Sequence, residues 1–218
     1  MTTTPAKLFE VRPSADKGFG VFATTLIPRG TRILAEKPLL YTNVGNYMTS
    51  DLESAFYALT PEQQHLFWTL HSGHGQDPKL WPSQGPDSSL DSKAANKIRE
   101  QHFARIAEDK SLLSVFMVNC MEMGNGAGVF VEAARFNHSC TPNAHFAWNE
   151  RIGMETIHVT RDIQPGEVRW IYLARLWLKS LIPDGGSRML HFSSIIPVYC
   201  SLLRWPPRIC VITELNQI

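Results

Sequence analysis

The feature that most constrains this sequence is the stretch 135–143, which reads Arg-Phe-Asn-His-Ser-Cys-Thr-Pro-Asn. It is too polar to be a plain core element and too structured to be a linker. Pro142 removes a backbone donor and fixes φ, so the chain must turn there. Asn137 and His138 can pair with polar groups of a bound molecule through their side chains and backbone. Taken alone, a surface turn stabilised by Asn and Ser side chains explains the stretch equally well.

Short strand patterns lie on both sides of this chain's middle. Residues 7–41 contain three short apolar runs, separated by the turn signals Lys17-Gly18-Phe19-Gly20 and Ile27-Pro28-Arg29-Gly30. Such spacing predicts antiparallel β structure, and the glycine pair predicts a tight turn with positive φ. Residues 155–172 repeat the pattern, and their Ile-x-Pro-Gly turn at 163–166 resembles the Ile-Pro-x-Gly turn at 27–30.

A helical region separates the two β halves. Thr60 followed by Pro61 is typical of a helix start, with Thr as the cap and Pro at the first helical position. Residues 72–92 are rich in Ser, Gly, Asp and Pro and predict a long exposed loop. A last helix is predicted over 111–123, where Met and Phe form a packing stripe. We therefore expect a helical insertion over 43–123.

Charge and cysteine usage exclude several functions. The formal net charge is +1 and no basic run stands out, so bulk electrostatic binding to nucleic acid or an acidic membrane is not expected. No apolar run reaches the length of a membrane span, and the N-terminus lacks a signal pattern. The four cysteines form no CxxC pair, which favours free thiols in a reducing compartment. These observations predict a soluble protein of the nucleus or cytoplasm.

Taken in order, these motifs resemble the SET domain of protein lysine methyltransferases. The matching segments are 17–23, 27–30, Glu36, 126–130, 135–143 and 162–167. The resemblance covers about 7–167 and is closest to the SET- and MYND-type branch, without its MYND zinc module. It implies an α+β, mainly β fold, namely a SET-domain β-clip of small sheets with a pseudo-knot and a helical insertion.

The resemblance also divides the chain into domains. It implies a SET domain over 7–172, built from a β half at 7–42, the insertion at 43–123 and a β half at 124–172. An atypical C-terminal tail follows at 173–218.

The implied activity is methyl transfer from S-adenosyl-L-methionine to the side-chain amine of a protein lysine. That donor carries a sulfonium cation, an adenine and an amino-acid end, so it needs backbone groups at close approach and an aromatic wall. The residues that the resemblance assigns to the cofactor are Lys17, Gly18, Phe19, Gly20, Phe22, Arg135, Phe136, Asn137 and His138. A histone is one candidate substrate, and we expect a monomer that holds no metal.

The end of the domain departs from the family pattern. The resemblance makes Tyr172 the catalytic tyrosine, yet in Gly166-Glu167-Val168-Arg169-Trp170-Ile171-Tyr172 it comes one residue early. In a strand, a shift of one residue points a side chain to the opposite face, and a one-residue bulge would restore it. The family's Cys-x-Cys-x-x-Cys cluster is missing, and the spacing of Cys200 and Cys210 predicts no zinc site.

These departures leave a second reading open. The chain could be a non-catalytic SET-like binding module derived from such an enzyme, with a truncated or altered C-terminus. A third reading, a cysteine hydrolase using Cys140 with His138 or His145, is disfavoured. His138 lies only two residues from Cys140, whereas a nucleophile and its base normally converge from distant segments.

Overall fold

The computed structural model describes residues 7–14, 18–45, 47–79, 92–138, 142–167 and 170–171. The elements of the first part are β1 (Phe9–Ser14), β2 (Gly18–Ala23), β3 (Arg32–Glu36), β4 (Leu40–Thr42), α1 (Thr49–Tyr57), α2 (Pro61–Trp68), α3 (Ser92–Ile106) and α4 (Leu112–Asn119). They are followed by β5 (Cys120–Met123), β6 (Gly126–Val129), a 3-10 helix (Ala133–Arg135), β7 (Asn137–His138), β8 (Ala144–Asn149), β9 (Met154–Val159) and β10 (Trp170–Ile171).

The described strands form four small sheets, which confirms the α+β, mainly β fold class. Three sheets are antiparallel, with strand orders β1-β2, β3-β9-β8 and β4-β6-β5. The fourth is a parallel pair, in which Asn137 of β7 lies opposite Trp170 of β10. Threading of the pseudo-knot involves residues outside the described ranges and stays an expectation.

The glycine pair near the N-terminus lies within a strand. Gly18 and Gly20 belong to β2, and Gly20 pairs with Arg12 of β1. Gly20 is not among the glycines with positive φ. The prediction of a tight turn at 17–20 is therefore wrong. Packing favours the small residue, because a Cβ at Gly20 would lie only 3.3 Å from both Asn137 Nδ2 and Phe22 Cε2.

The two Ile-Pro-Gly turns join the β halves by matching exchanges of hydrogen bonds. The amide of Ile27 donates to Ile163 O at 3.0 Å, and the amide of Ile163 donates to Ile27 O at 2.9 Å. Gly30 and Gly166 adopt φ values of 82° and 80°. Each donates its amide to the carbonyl four residues before the opposite isoleucine, at 2.9 and 2.8 Å. Both isoleucines are fully buried, so this junction forms part of the core.

The helix start predicted at Thr60 and Pro61 is confirmed. The Gln63 amide donates to Thr60 Oγ1 at 3.3 Å, and Pro61 occupies the first turn of α2. Phe67 of α2 and Phe116 of α4 are fully buried in one apolar cluster, together with Leu52 of α1. Among the described helices, none is long and apolar enough to cross a lipid bilayer.

The last helix ends earlier than predicted. α4 ends at Asn119, and Cys120–Met123 forms β5, so the prediction of a helix through residue 123 is wrong. The backbone of Cys120 is extended, at φ −74° and ψ 147°. β5 pairs with β6, and a Cβ at Gly126 would meet Thr42 O at 1.9 Å. A short apolar run does not distinguish helix from strand, so this tertiary pairing decides the conformation.

A second apolar cluster lies under the sheets. It includes Val21 of β2, Ile157 of the central strand β9, and the Ile27 and Ile163 junction. Phe136, directly before β7, belongs to the same cluster. The residue directly before the Asn-His strand is thereby anchored in the core.

Candidate functional site

The glycine strand β2 and the Asn-His strand β7 meet in the folded protein. Nδ2 of Asn137 donates to the backbone carbonyl of Phe19 at 3.0 Å. Asn137 is half-buried, and the Phe19 side chain is 56% exposed, so this junction lies at the surface. Within the described part of the chain, Asn137 Oδ1 accepts no hydrogen bond. That oxygen is therefore available to a donor group of a bound molecule.

The two phenylalanines that the resemblance assigns to the donor pocket lie in different surroundings. Phe22 is buried, and the Arg12 guanidinium lies 3.6 Å from its ring centroid. Phe136 packs edge-on against Phe9, with ring centroids 5.7 Å apart. Phe22 thus borders the Gly20–Asn137 junction, whereas Phe136 packs in the core. Their contacts with a donor stay predictions.

Of the other predicted site residues, the structure describes Arg135 and His138 but not Lys17 or Tyr172. Arg135 is the last residue of the 3-10 helix and is half-buried, and its amide donates to Glu132 O at 3.0 Å. His138 pairs with Ile171 across the parallel sheet. Lys17 and Tyr172 lie outside the described residues, so the register of Tyr172 stays open. The cysteines at 140, 200 and 210 also lie outside them.

A glutamate holds the segment that leads into β7. The Glu36 carboxylate accepts the amide of Ala133 at 2.9 Å and the amide of Glu132 at 3.0 and 3.1 Å on its two oxygens. Burial raises the pKa of Glu36, and these backbone amides oppose the rise. The sequence analysis included Glu36 in the resemblance but gave it no role, since its partners lie more than ninety residues away.

A second glutamate lies directly opposite the first. Glu155 of β9 pairs with Glu36 of β3 in the sheet register and is fully buried. Neither of its carboxylate oxygens has a hydrogen-bond partner. Burial raises the pKa of the Glu155 carboxyl to about 8, and the Glu36 carboxylate adds to the rise. No sequence signal identifies this pair, because Glu155 lies in an ordinary alternating strand pattern.

The last residue of the 135–143 stretch has a structural partner. Asn143 is buried, and its Nδ2 donates to Glu167 Oε1 at 3.2 Å. Arg161 also pairs with Glu167, and its hydrogen bond lowers the pKa of that carboxyl. These contacts fix the turn 161–167, which leads towards β10. Among the described residues, no three His, Cys, Asp or Glu side chains cluster as a metal site would require.

The four small sheets, the helical insertion and the junction of β2 with β7 describe an α+β domain of the SET type. The family model for the SET domain matches residues 18–167, and this chain belongs to that family. The assignment to the SET- and MYND-type branch stays a prediction.

Two curated proteins are similar to this chain. Histone-lysine N-methyltransferase set5 of Schizosaccharomyces pombe is 30% identical over 167 residues, which cover 77% of this chain and 42% of that protein. A "Putative SET domain-containing protein" of Acanthamoeba polyphaga mimivirus is 27% identical over 69% of this chain and 61% of its own length. The chain thus spans about two fifths to three fifths of these relatives.

Among solved structures, the "putative histone methyltransferase" of Plasmodium falciparum overlaps 79% of this chain and 97% of its own. The TM-score is 0.40 and the sequence identity is 12%. The family assignment rests on the match of the SET domain model to residues 18–167.

Proposed function

We propose that this chain transfers a methyl group from S-adenosylmethionine to the side-chain amine of a protein lysine. The observation that carries the proposal is the hydrogen bond from Asn137 to Phe19 O, because it joins the two segments that the family uses for its donor. Membership of the SET family and the likeness to a histone-lysine methyltransferase support the same reaction.

The residues at the junction fit the amino-acid end of the donor. Asn137 Nδ2 is occupied by Phe19 O, whereas Oδ1 has no partner among the described residues. An α-ammonium group is a strong donor and suits such an amide oxygen. Gly20 leaves the approach to Asn137 open, since any side chain there would press on the amide.

For methyl transfer, the main task of the protein is to align the lysine amine with the methyl group of the donor. When bound, S-adenosylmethionine supplies an electrophilic methyl group on a sulfonium. The target lysine must reach it as a neutral amine, although a free lysine has a pKa of about 10.4. The chain therefore has to orient the amine and exclude water around it, and Tyr172 is the residue that we propose to orient it.

The substrate and the cellular compartment are proposed from similarity to the S. pombe relative. The name of the S. pombe relative favours a histone lysine as the methyl acceptor. Such a substrate would be met in the nucleus, or in the cytoplasm before assembly. We propose that the protein acts as a monomer, and that it binds its protein substrate without binding nucleic acid directly.

The deciding experiment is transfer of radiolabelled methyl groups to purified histones and to a cell lysate. We expect labelled protein with the wild type, and a loss of at least about a hundredfold in rate for Tyr172→Phe. Tyr57→Phe is the matched control, since Tyr57 is 72% exposed on α1.

The same assay tests the alternative of a binding module. Donor binding in calorimetry without any labelled product would favour the module, a reading that the comparisons do not favour. A protein that neither binds the donor nor transfers a methyl group would contradict the proposed function itself.

A further inference from the structure

The Glu36 side chain holds the backbone at the start of the segment that carries Asn137. Glu36 accepts the amide of Glu132, the residue that caps the 3-10 helix, and the amide of Ala133, the first residue of that helix. That helix leads without a break into Phe136 and Asn137, and the Phe136 amide donates to Ala133 O at 3.1 Å. Displacing this carboxylate would free the amides and move the strand that follows.

We call the hydrogen bonds from the amides of Glu132 and Ala133 to the Glu36 carboxylate the clamp. The group beside the clamp is a buried acid without a hydrogen-bond partner. Glu155 lies across the sheet from Glu36 and on the same face as the core residues Ile157 and Val159. Both of its oxygens lack hydrogen-bond partners. An ionised carboxylate in such a place is very costly, and two carboxylates at one site cannot both ionise readily.

We propose that Glu36 is a positioning residue for the donor site, and that a proton held on Glu155 keeps Glu36 in place as the clamp. This inference rests on the proposed function, because it assigns Asn137 to the donor. Glu36 keeps the charge of the pair because it receives the backbone amides. Glu155 keeps the proton because its buried oxygens have no hydrogen-bond partner by distance and angle, and the nearby Thr156 backbone offsets the cost of a charge there only in part.

Few other charges act on the pair. From β8, the neighbour opposite Glu155 is Trp148, which carries no charge. Glu132 repels Glu36, but its own carboxylate pairs with Lys7 Nζ at 2.9 Å. No cation among these neighbours compensates a second negative charge beside Glu36. When Glu155 loses its proton, the repulsion between the two carboxylates must therefore be reduced by their movement apart or by entry of water.

The proposal predicts a specific pH response of donor binding. Burial and Glu36 raise the pKa of Glu155 to about 8. Below that pH the clamp is intact, and above it the second charge weakens the hold on the amides. The affinity for S-adenosylmethionine should therefore fall from about pH 7 to about pH 9.5, through the orientation of Asn137.

Calorimetric titration with S-adenosylmethionine across this pH range tests the proposal. We expect the wild type to lose about tenfold more affinity over this range than Glu155→Gln, which mimics the protonated acid. The comparison between the two proteins cancels any loss that comes from titration of the donor's own α-amino group. Glu36→Gln should bind about tenfold more weakly than the wild type at pH 7. Glu150→Gln, at an exposed position of the same hairpin, is the matched control and should follow the wild type.

A second measurement needs no donor. Amide hydrogen exchange over 131–137 reports the clamp directly, as protection factors compared at equal pH. We expect Glu36→Gln to lower protection in this segment about tenfold, and Glu155→Gln to keep it constant between pH 7 and 9.5.

The outcomes separate this inference from the proposed function. Equal protection in Glu36→Gln and the wild type would overturn the clamp, whatever the donor affinity. The same protection loss with pH in Glu155→Gln and the wild type would overturn the role of the Glu155 proton. A clamp confirmed by exchange, with no S-adenosylmethionine binding at any pH, would contradict the proposed function instead and limit Glu36 to positioning β7.

Discussion

The side-chain amide of Asn137 and the backbone carbonyl of Phe19 form a 3.0 Å hydrogen bond across 118 positions of sequence. It is the contact that places the glycine strand beside the Asn-His strand. Pairing of β1 with β2 places Phe19 on one side of this bond, and core packing of Phe136 places Asn137 on the other.

Replacement of Asn137 by Ala should weaken binding of S-adenosylmethionine at least about tenfold, or about 1.4 kcal/mol, because a polar contact to a charged ligand is lost. Isothermal titration calorimetry measures it. Asn149→Ala is the control, since Asn149 is exposed at the end of β8. Equal affinity in both variants would argue strongly against the proposed donor site.

Gly20→Ala should disturb binding more than folding. The added Cβ would lie 3.3 Å from Asn137 Nδ2 and from Phe22 Cε2, so the amide must shift by a few tenths of an ångström. We expect donor affinity to fall about three- to tenfold.

Gly30→Ala is the informative contrast to Gly20→Ala. Nothing lies within 4 Å of its added Cβ, but φ is +82°. It should cost about 1 kcal/mol of stability through backbone strain and leave donor affinity unchanged. Weaker donor binding in Gly30→Ala than in Gly20→Ala would show that the space at Gly20 does not determine the position of the Asn137 amide.

Ile163→Ala should destabilise the whole domain. Ile163 is fully buried where it meets Ile27, and truncation of such a residue costs about 2–5 kcal/mol. Urea unfolding followed by circular dichroism measures the change. Ile152→Ala, at a 40% exposed position, should cost less than about 1 kcal/mol. A similar loss in both would refute a core role for the junction.

Glu155→Gln should change how stability depends on pH. The folded-state pKa of Glu155 is raised from 4.5 to about 8, so the folded protein keeps a proton that the unfolded chain releases. This group's contribution to stability is complete below about pH 4.5 and is lost as the pH rises to about 8. The variant lacks that loss, so its advantage over the wild type should grow by up to about 1.4 kcal/mol per pH unit in this window.

Urea unfolding at several pH values gives the comparison for Glu155. The slope of stability against pH is the quantity to compare, because it does not depend on any constant cost of the substitution. Glu150→Gln should keep the wild-type slope. Parallel curves for the wild type and Glu155→Gln would contradict a buried protonated acid.

The sequence alone determined the family, the α+β class and the helix start at Thr60. These follow from local patterns, because caps, turn residues and a nine-residue motif act over a few positions. The two Ile-Pro-Gly turns were also evident, although their mutual pairing was not.

Only the tertiary structure decided the features that depend on neighbours distant in sequence. Gly20 lies in a strand because β1 pairs with it, and Cys120–Met123 is a strand because β6 pairs with it. The Glu36–Glu155 pair follows from sheet register, which no single segment encodes. Local propensity fixes elements, whereas burial and cross-strand pairing fix which groups meet and what charge they carry.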